Sequence, residues 1–177
     1  KISKPRKKLN KILISFGGAD PTNETTKVLK AFKNINLVKL KLVVIAGNSN
    51  SNKKNIKKLT DQIINSKFYT YSEKIGYFMV NSDLAIGGAG TTTWERCCLG
   101  LPSIISILSV NQKQIGNSLS KIKCVKNLGL ANKLSVKDYE SAIKKLDNKT
   151  LLQMSINSKK LVDGKGANRV VNEILLL

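Results

Sequence analysis

A chain of 177 residues, 41% of them apolar and 24% charged, is long enough for one well-filled core and too short for two comfortable domains. No run approaches the roughly 18 apolar residues of a membrane span, and basic residues 1–8 precede no apolar signal core. A cytoplasmic protein without stable membrane insertion is therefore expected, and the net charge of +20 does not by itself imply nucleic acid, because it comes from 28 Lys and only three Arg (Arg6, Arg96, Arg169) with 5% aromatics.

Residues 1–10 read as a basic linker or as the end of a preceding domain, and residues 11–177 as the folded domain. The sequence has no initiator Met, which fits a fragment that starts at such a linker. From there short β-branched apolar runs alternate with longer amphipathic ones. Residues 11–16 (KILISF), 40–46 (LKLVVIA), 68–71, 84–87 (LAIG) and 103–107 (SIISI) are expected strands. Residues 23–33, 53–65, 74–81, 92–99 and 112–127 are expected helices between them. Such alternation implies βαβ units, right-handed crossovers and a Rossmann-like doubly wound parallel sheet. Residues 135–146 open with a Ser cap and the acidic pair Asp138 and Glu140, so a helix starts there. Residues 149–161 and 167–177 also read helical, with Gly164 and Gly166 breaking between them.

In a doubly wound sheet the ligand lies beyond the carboxyl ends of the strands. The first strand runs into Gly17-Gly18-Ala19-Asp20-Pro21-Thr22-Asn23, where paired glycines permit close approach and the next helix offers free N–H groups. The spacing is not GxGxxG, so no dinucleotide cofactor is expected. A plain turn with Asp20 as cap fits this segment equally well. A second glycine loop, residues 87–92, places Gly87, Gly88 and Gly90 before Thr91, Thr92 and Thr93. A helix starting near Thr92 would offer amides and hydroxyls to a diphosphate without a metal, with Glu95 one turn on for a ribose diol. Thr91 and Glu95 could instead form a capping arrangement. Asn111 and Gln112 follow the fifth strand and suit sugar hydroxyls or an acetamido group, and Tyr71-Ser72 lie where backbone groups would meet a uracil edge. Cys97, Cys98 and Cys124 form neither a disulfide framework nor a CxxC pair, and the chain contains no His, so no metal site is expected.

The succession GGADP, DLAIGGAGTTTWERCCLGLPS, NQ and GKGANRVVNEI resembles the C-terminal domain of the UDP-sugar hydrolases of pseudaminic acid biosynthesis. That family is similar in turn to the donor-binding lobe of GT-B glycosyltransferases. The resemblance runs from about residue 11 to the end, and TTTWERCCLGLPS is its most specific part. It implies the C-terminal lobe of a GT-B-type fold. It also implies a hydrolase that releases UDP from a UDP-linked diacetamido-trideoxy sugar on the way to flagellin or surface-polysaccharide glycosylation. Gly17, Gly18 and Asp20 would then face the cleft, and Gly90, Thr91 and Thr92 would hold the diphosphate. Glu95 would hold the ribose, Asn111 and Gln112 the sugar or the β-phosphate, and Ser72 would lie beside the uracil. The family's catalytic His belongs to an N-terminal domain, and this chain has no His, so the resemblance assigns it no catalytic residue and leads us to expect little turnover from it alone. A GT-B glycosyltransferase would keep the same UDP loops and replace water by an acceptor hydroxyl. A basic nucleic-acid-binding module is the alternative from another class.

Overall fold

A computed structural model describes residues 5–70 and 73–176. Six parallel strands form a single sheet: β1 (Lys11–Ser15), β2 (Lys41–Ala46), β3 (Ser66–Thr70), β4 (Leu84–Gly88), β5 (Ser103–Ile107) and β6 (Val125–Leu130), in the order β3-β2-β1-β4-β5-β6. Helices α1 (Glu24–Ile35), α2 (Lys53–Asp61), α3 (Ile75–Val80), α4 (Thr92–Cys98) and α5 (Lys113–Lys121) connect them. Helices α6 (Val136–Lys144), α7 (Asn148–Leu161) and α8 (Gly166–Leu175) follow β6. This is a Rossmann-like α/β domain, as the alternation of runs predicts.

The strand sequences explain why the sheet is covered on both faces. Ile12, Leu13, Ile14, Val43, Val44, Ala85, Ile86, Ile104 and Ile105 are continuous apolar runs without polar alternation, and all are buried. One face packs on α1, α6 and the start of α7 through Val28, Leu29, Phe32, Tyr139, Ile143 and Leu151. The other packs on Phe78, Met79 and Leu101, and on Ala89, Cys97, Leu119 and Cys124. Asp83 ties the lower ends of the two central strands, accepting hydrogen bonds from the amides of Asn10 and Lys11 at 2.9 Å each.

One expectation is corrected outright. Residues 112–127 do not form one helix: α5 ends at Lys121, Lys123 adopts a left-handed φ of 55°, and the chain turns into β6. Strand β6 is an edge strand whose residues beyond Val125 are only half-buried, so it carries Lys126, Asn127 and Gly129 and shows no strand periodicity. Helix α2 likewise stops at Asp61, four residues short of the expected end, and Gly166 begins α8 instead of interrupting it. The Ser135 start is as expected: Ser135 and Asp138 form a reciprocal capping box. The first described residues are less linker-like than their composition suggests, because Arg6 is buried between α3, α4 and α7. Helix α8 is exposed throughout, including Val170, Val171, Ile174 and Leu175.

The buried thiols are inert for a physical reason. Desolvation pushes Cys97 up to about 11 and raises Cys124 as well. Iodoacetamide at about pH 8 is expected to spare Cys97 in the folded chain, to label half-buried Cys98 first, and to label Cys97 only after denaturation. The folded thiol keeps its proton where the unfolded one gives it up. Its contribution to stability is therefore present below the ordinary thiol range and is lost as pH rises through about 11. Mass-spectrometric peptide mapping checks this, and rapid native labelling of Cys97 would contradict it.

Candidate functional site

The strand order reverses direction between β1 and β4, which sit side by side at the centre of the sheet with Ser15 opposite Gly87. At that reversal the two following chains leave in opposite directions and open a crevice at the carboxyl edge. Both glycine loops start there.

After β1, Gly17 takes a left-handed φ of 80°, and Gly17, Gly18 and Ala19 are exposed at the rim. Asp20 turns away from it. Its carboxylate is 2% exposed and accepts hydrogen bonds from the amides of Glu24 at 2.8 Å and Thr25 at 2.9 Å. Of the two roles open to Asp20 from the sequence, the structure shows the cap. The first amides of α1 are therefore occupied by a carboxylate of the chain, contrary to the expectation that they stand free toward a ligand. Behind the loop, Glu24 is fully buried and accepts from Lys27 Nζ and from the Tyr139 hydroxyl, both at 2.6 Å. Burial and the neighbouring carboxylate hold the Tyr139 hydroxyl well above its ordinary value, so it stays a donor. Lys27 also donates to the Ala131 carbonyl at 3.1 Å, which fixes the end of β6 to the same network.

Gly47, directly after β2, abuts the first glycine loop and is not among the residues the sequence singled out. A Cβ at that position would lie 2.4 Å from Gly18 Cα, 2.4 Å from Gly18 O and 2.6 Å from Gly17 O. The available signal was its place: a glycine directly after a buried apolar run, at the same sheet edge as the first loop.

After β4, the Gly88–Ala89 peptide is pinned on both sides. Ala89 donates its amide to Ser106 O at 3.1 Å, and the Gly88 carbonyl accepts from Arg96 Nη2 at 2.5 Å. Gly90 and Thr91 then turn into α4 through bonds from Thr93 N to Gly90 O and from Trp94 N to Thr91 O, each 2.9 Å. Thr91 is exposed at the cap position and makes no capping bond, Thr92 is half-buried, and Glu95 is exposed. The Thr91–Glu95 capping arrangement is therefore not formed, and both residues are exposed.

The turn after β5 closes the other side. Asn111 and Gln112 belong to a short 3-10 turn, Val110–Gln112, that runs into α5. Gln112 Oε1 accepts from the Leu108 amide at 3.0 Å, and its Nε2 lies 3.5 Å from where a Gly90 Cβ would stand. Gln112 thus joins this turn to the second glycine loop, while exposed Asn111 accepts from the Ser109 hydroxyl. Gly17, Gly18, Gly90, Thr91, Thr92, Glu95, Asn111 and Gln112 all belong to segments leaving this one edge; Ser72 lies outside the described residues. Among the described residues no group of three His, Cys, Asp or Glu side chains is placed to hold a metal ion, and no helix is long and apolar enough to cross a membrane.

Arg96 is the second residue the sequence did not flag. It is 3% exposed, its Nη2 also donates to Thr93 Oγ1 at 2.7 Å, and its Nε has no partner among the described residues.

The fold has counterparts among known proteins. The family model for the glycosyltransferase family 28 C-terminal domain matches residues 12–171. The spore coat polysaccharide biosynthesis protein SpsG of Bacillus subtilis is 23% identical over 168 residues, covering 93% of this chain and 50% of its own. MurG of Acinetobacter baumannii superposes with a TM-score of 0.80 at 17% identity, over 96% of this chain and 50% of its own. UDP-GlcNAc 2-epimerase from Neisseria meningitidis, solved bound to UDP-GlcNAc, superposes with a TM-score of 0.70 at 17% identity, over 99% of this chain and 46% of its own. The chain spans about half the length of these proteins.

Proposed function

The chain belongs to the glycosyltransferase family 28 C-terminal domain family, and from that premise we propose that it is the lobe of a two-lobed sugar-nucleotide enzyme that holds the nucleotide, with UDP as that nucleotide. One observation carries the reading: the two glycine loops leave adjacent central strands at the reversal of strand order, and Gln112 closes one of them against the turn after β5. In this reading the diphosphate lies along Gly90, Thr91 and Thr92, and Glu95 accepts hydrogen bonds from the ribose diol. Asn111 and Gln112 face the β-phosphate or the sugar. Gly17 and Gly18 give the ligand room, and Asp20 serves indirectly by holding its loop on α1. UDP-bound relatives of the same fold support the choice of nucleotide.

The reaction we favour is glycosyl transfer, since the family match points that way. Hydrolysis of a UDP-linked diacetamido-trideoxy sugar is the second reading, favoured by the TTTWERCCLGLPS block. The chain has no imidazole to move a proton near neutral pH, so in both readings the contribution of these residues is nucleotide binding.

Calorimetric titration of the chain with UDP and with a mixed-sequence oligonucleotide, each at low and high salt, tests the proposal. Saturable one-site UDP binding that persists at high salt is expected, with only weak, steeply salt-sensitive oligonucleotide binding. Saturable oligonucleotide binding with none for UDP would overturn the proposal in favour of a nucleic-acid module.

A further inference from the structure

Arg96 is a buried cation on which the carboxylate of exposed Glu95 acts only at longer range, without a direct ion pair. Its guanidinium is enclosed beneath the second glycine loop, bonded only to the Gly88 carbonyl and the Thr93 hydroxyl, and it makes no ion pair among the described residues. Its Nη1 lies 3.1 Å from where a Cβ on Gly87 would stand, at a position that the Ser15 carbonyl, 2.2 Å from the same point, already restricts to glycine. A buried charge without a direct ion pair is costly, and neutral groups could brace a loop without that cost. Through the Gly88 carbonyl and the Thr93 hydroxyl this charge is tied to the second glycine loop and the start of α4, where Thr91 is exposed.

We infer that Arg96 is a positioning residue for an anionic ligand: it anchors the Gly88–Ala89 peptide from below and sets a fixed positive potential under the place where a diphosphate lies on Gly90–Thr92. This rests on the nucleotide-binding reading given above. Desolvation lowers the guanidinium to about 10, which leaves it charged at neutral pH. In an enclosed site that charge is screened less than the surface Lys residues are, so it acts on a ligand when salt has suppressed theirs.

The test compares wild type with R96M, R96Q and R96K, using UDP, uridine and inorganic pyrophosphate as separate probes at high salt. In folded R96M, UDP and pyrophosphate affinities are expected to fall by about tenfold or more, from the loss of a charge-assisted contribution, while uridine affinity stays within about twofold. R96K is expected to recover most of the loss. R96Q, which keeps a donor for the Gly88 carbonyl, is expected to behave as R96M, and it substitutes for R96M should the latter fail to give a cooperative melt. UDP binding by R96Q or R96M within about twofold of wild type would overturn the inference, as would equal losses for UDP and uridine, which mark a purely structural brace. Absence of UDP binding by the wild type would instead strike the nucleotide reading, and the pyrophosphate series would still decide the role of Arg96.

Discussion

Gly47→Ala is expected to weaken UDP binding by about tenfold to a hundredfold and to destabilise the fold by about 1–3 kcal/mol, the usual cost of forcing extra atoms into a filled space. The cause is steric and has no soft escape. All three atoms that the new methyl would meet, at 2.4–2.6 Å, are backbone atoms of Gly17 and Gly18, so the loop itself must move. Gly18→Ala is the control. Nothing lies within 4 Å of its added Cβ, and its backbone is not left-handed, so stability should not change. Any affinity lost in Gly18→Ala then reports a direct collision with ligand, whereas the loss in Gly47→Ala reports displacement of the loop. Isothermal titration with thermal melts on both variants separates these. Wild-type affinity in Gly47→Ala would remove the first loop from the site.

Arg6→Ala is expected to cost about 3 kcal/mol of stability, among the larger single-site effects available in a domain of this size. Arg6 gathers backbone carbonyls from two helix ends. Its Nη2 donates to Met79 O at 3.5 Å and Val80 O at 3.4 Å, its Nε to Ser82 O at 3.3 Å, and its Nη1 to Gly100 O at 3.4 Å and to Leu99 O. Met79 and Val80 end α3, and Ser82, Leu99 and Gly100 follow the ends of α3 and α4, where a cation also complements the helix dipoles. Its backbone amide donates to Ser155 Oγ at 3.0 Å, and that hydroxyl donates to Gly100 O at 2.6 Å, which brings α7 into the same knot. Truncation removes the side-chain donor to the Val80, Ser82 and Leu99 carbonyls and leaves a cavity between three helices. Lys cannot reproduce the fork, so Arg6→Lys should recover only part of the loss. Urea unfolding measures both, and a cost below about 1 kcal/mol for Arg6→Ala would show that water replaces the guanidinium freely.

What the sequence made legible, and what it hid, divides along a physical line. Strand β5 matches its expected range, residues 103–107, because a fully buried parallel strand reads as an unbroken apolar run. The two glycine loops were legible because clustered glycines at a strand end signal a turn or a close approach, whereas Gly47 stands alone. Strand β6 was hidden because an edge strand need not be apolar on either face. Arg6 and Gly47 were hidden for another reason: each acts through contacts with residues far along the chain. Arg6 sits in a Lys-rich run that looks like a solvated tail until Leu99 and Ser155 are placed beside it. Asp20 was ambiguous in the sequence because a cap and a ligand contact ask for the same carboxylate. Only the position of the Glu24 and Thr25 amides distinguishes them.

The central pairing of β1 with β4 also governs when the site comes into being. Asp83 clasps the amide of Lys11 across 72 positions, a span that holds β1, the β2–β3 flank and helices α1 to α3. Closing so long a loop carries an entropic cost that nearest-neighbour units such as β1–α1–β2 do not face, so those units gain order first. During synthesis the first glycine loop emerges early and has no counterpart until β4 has followed and found its place at the centre. Affinity for a ligand that spans both loops is then a late property of the folding chain, acquired in the step that unites its two halves.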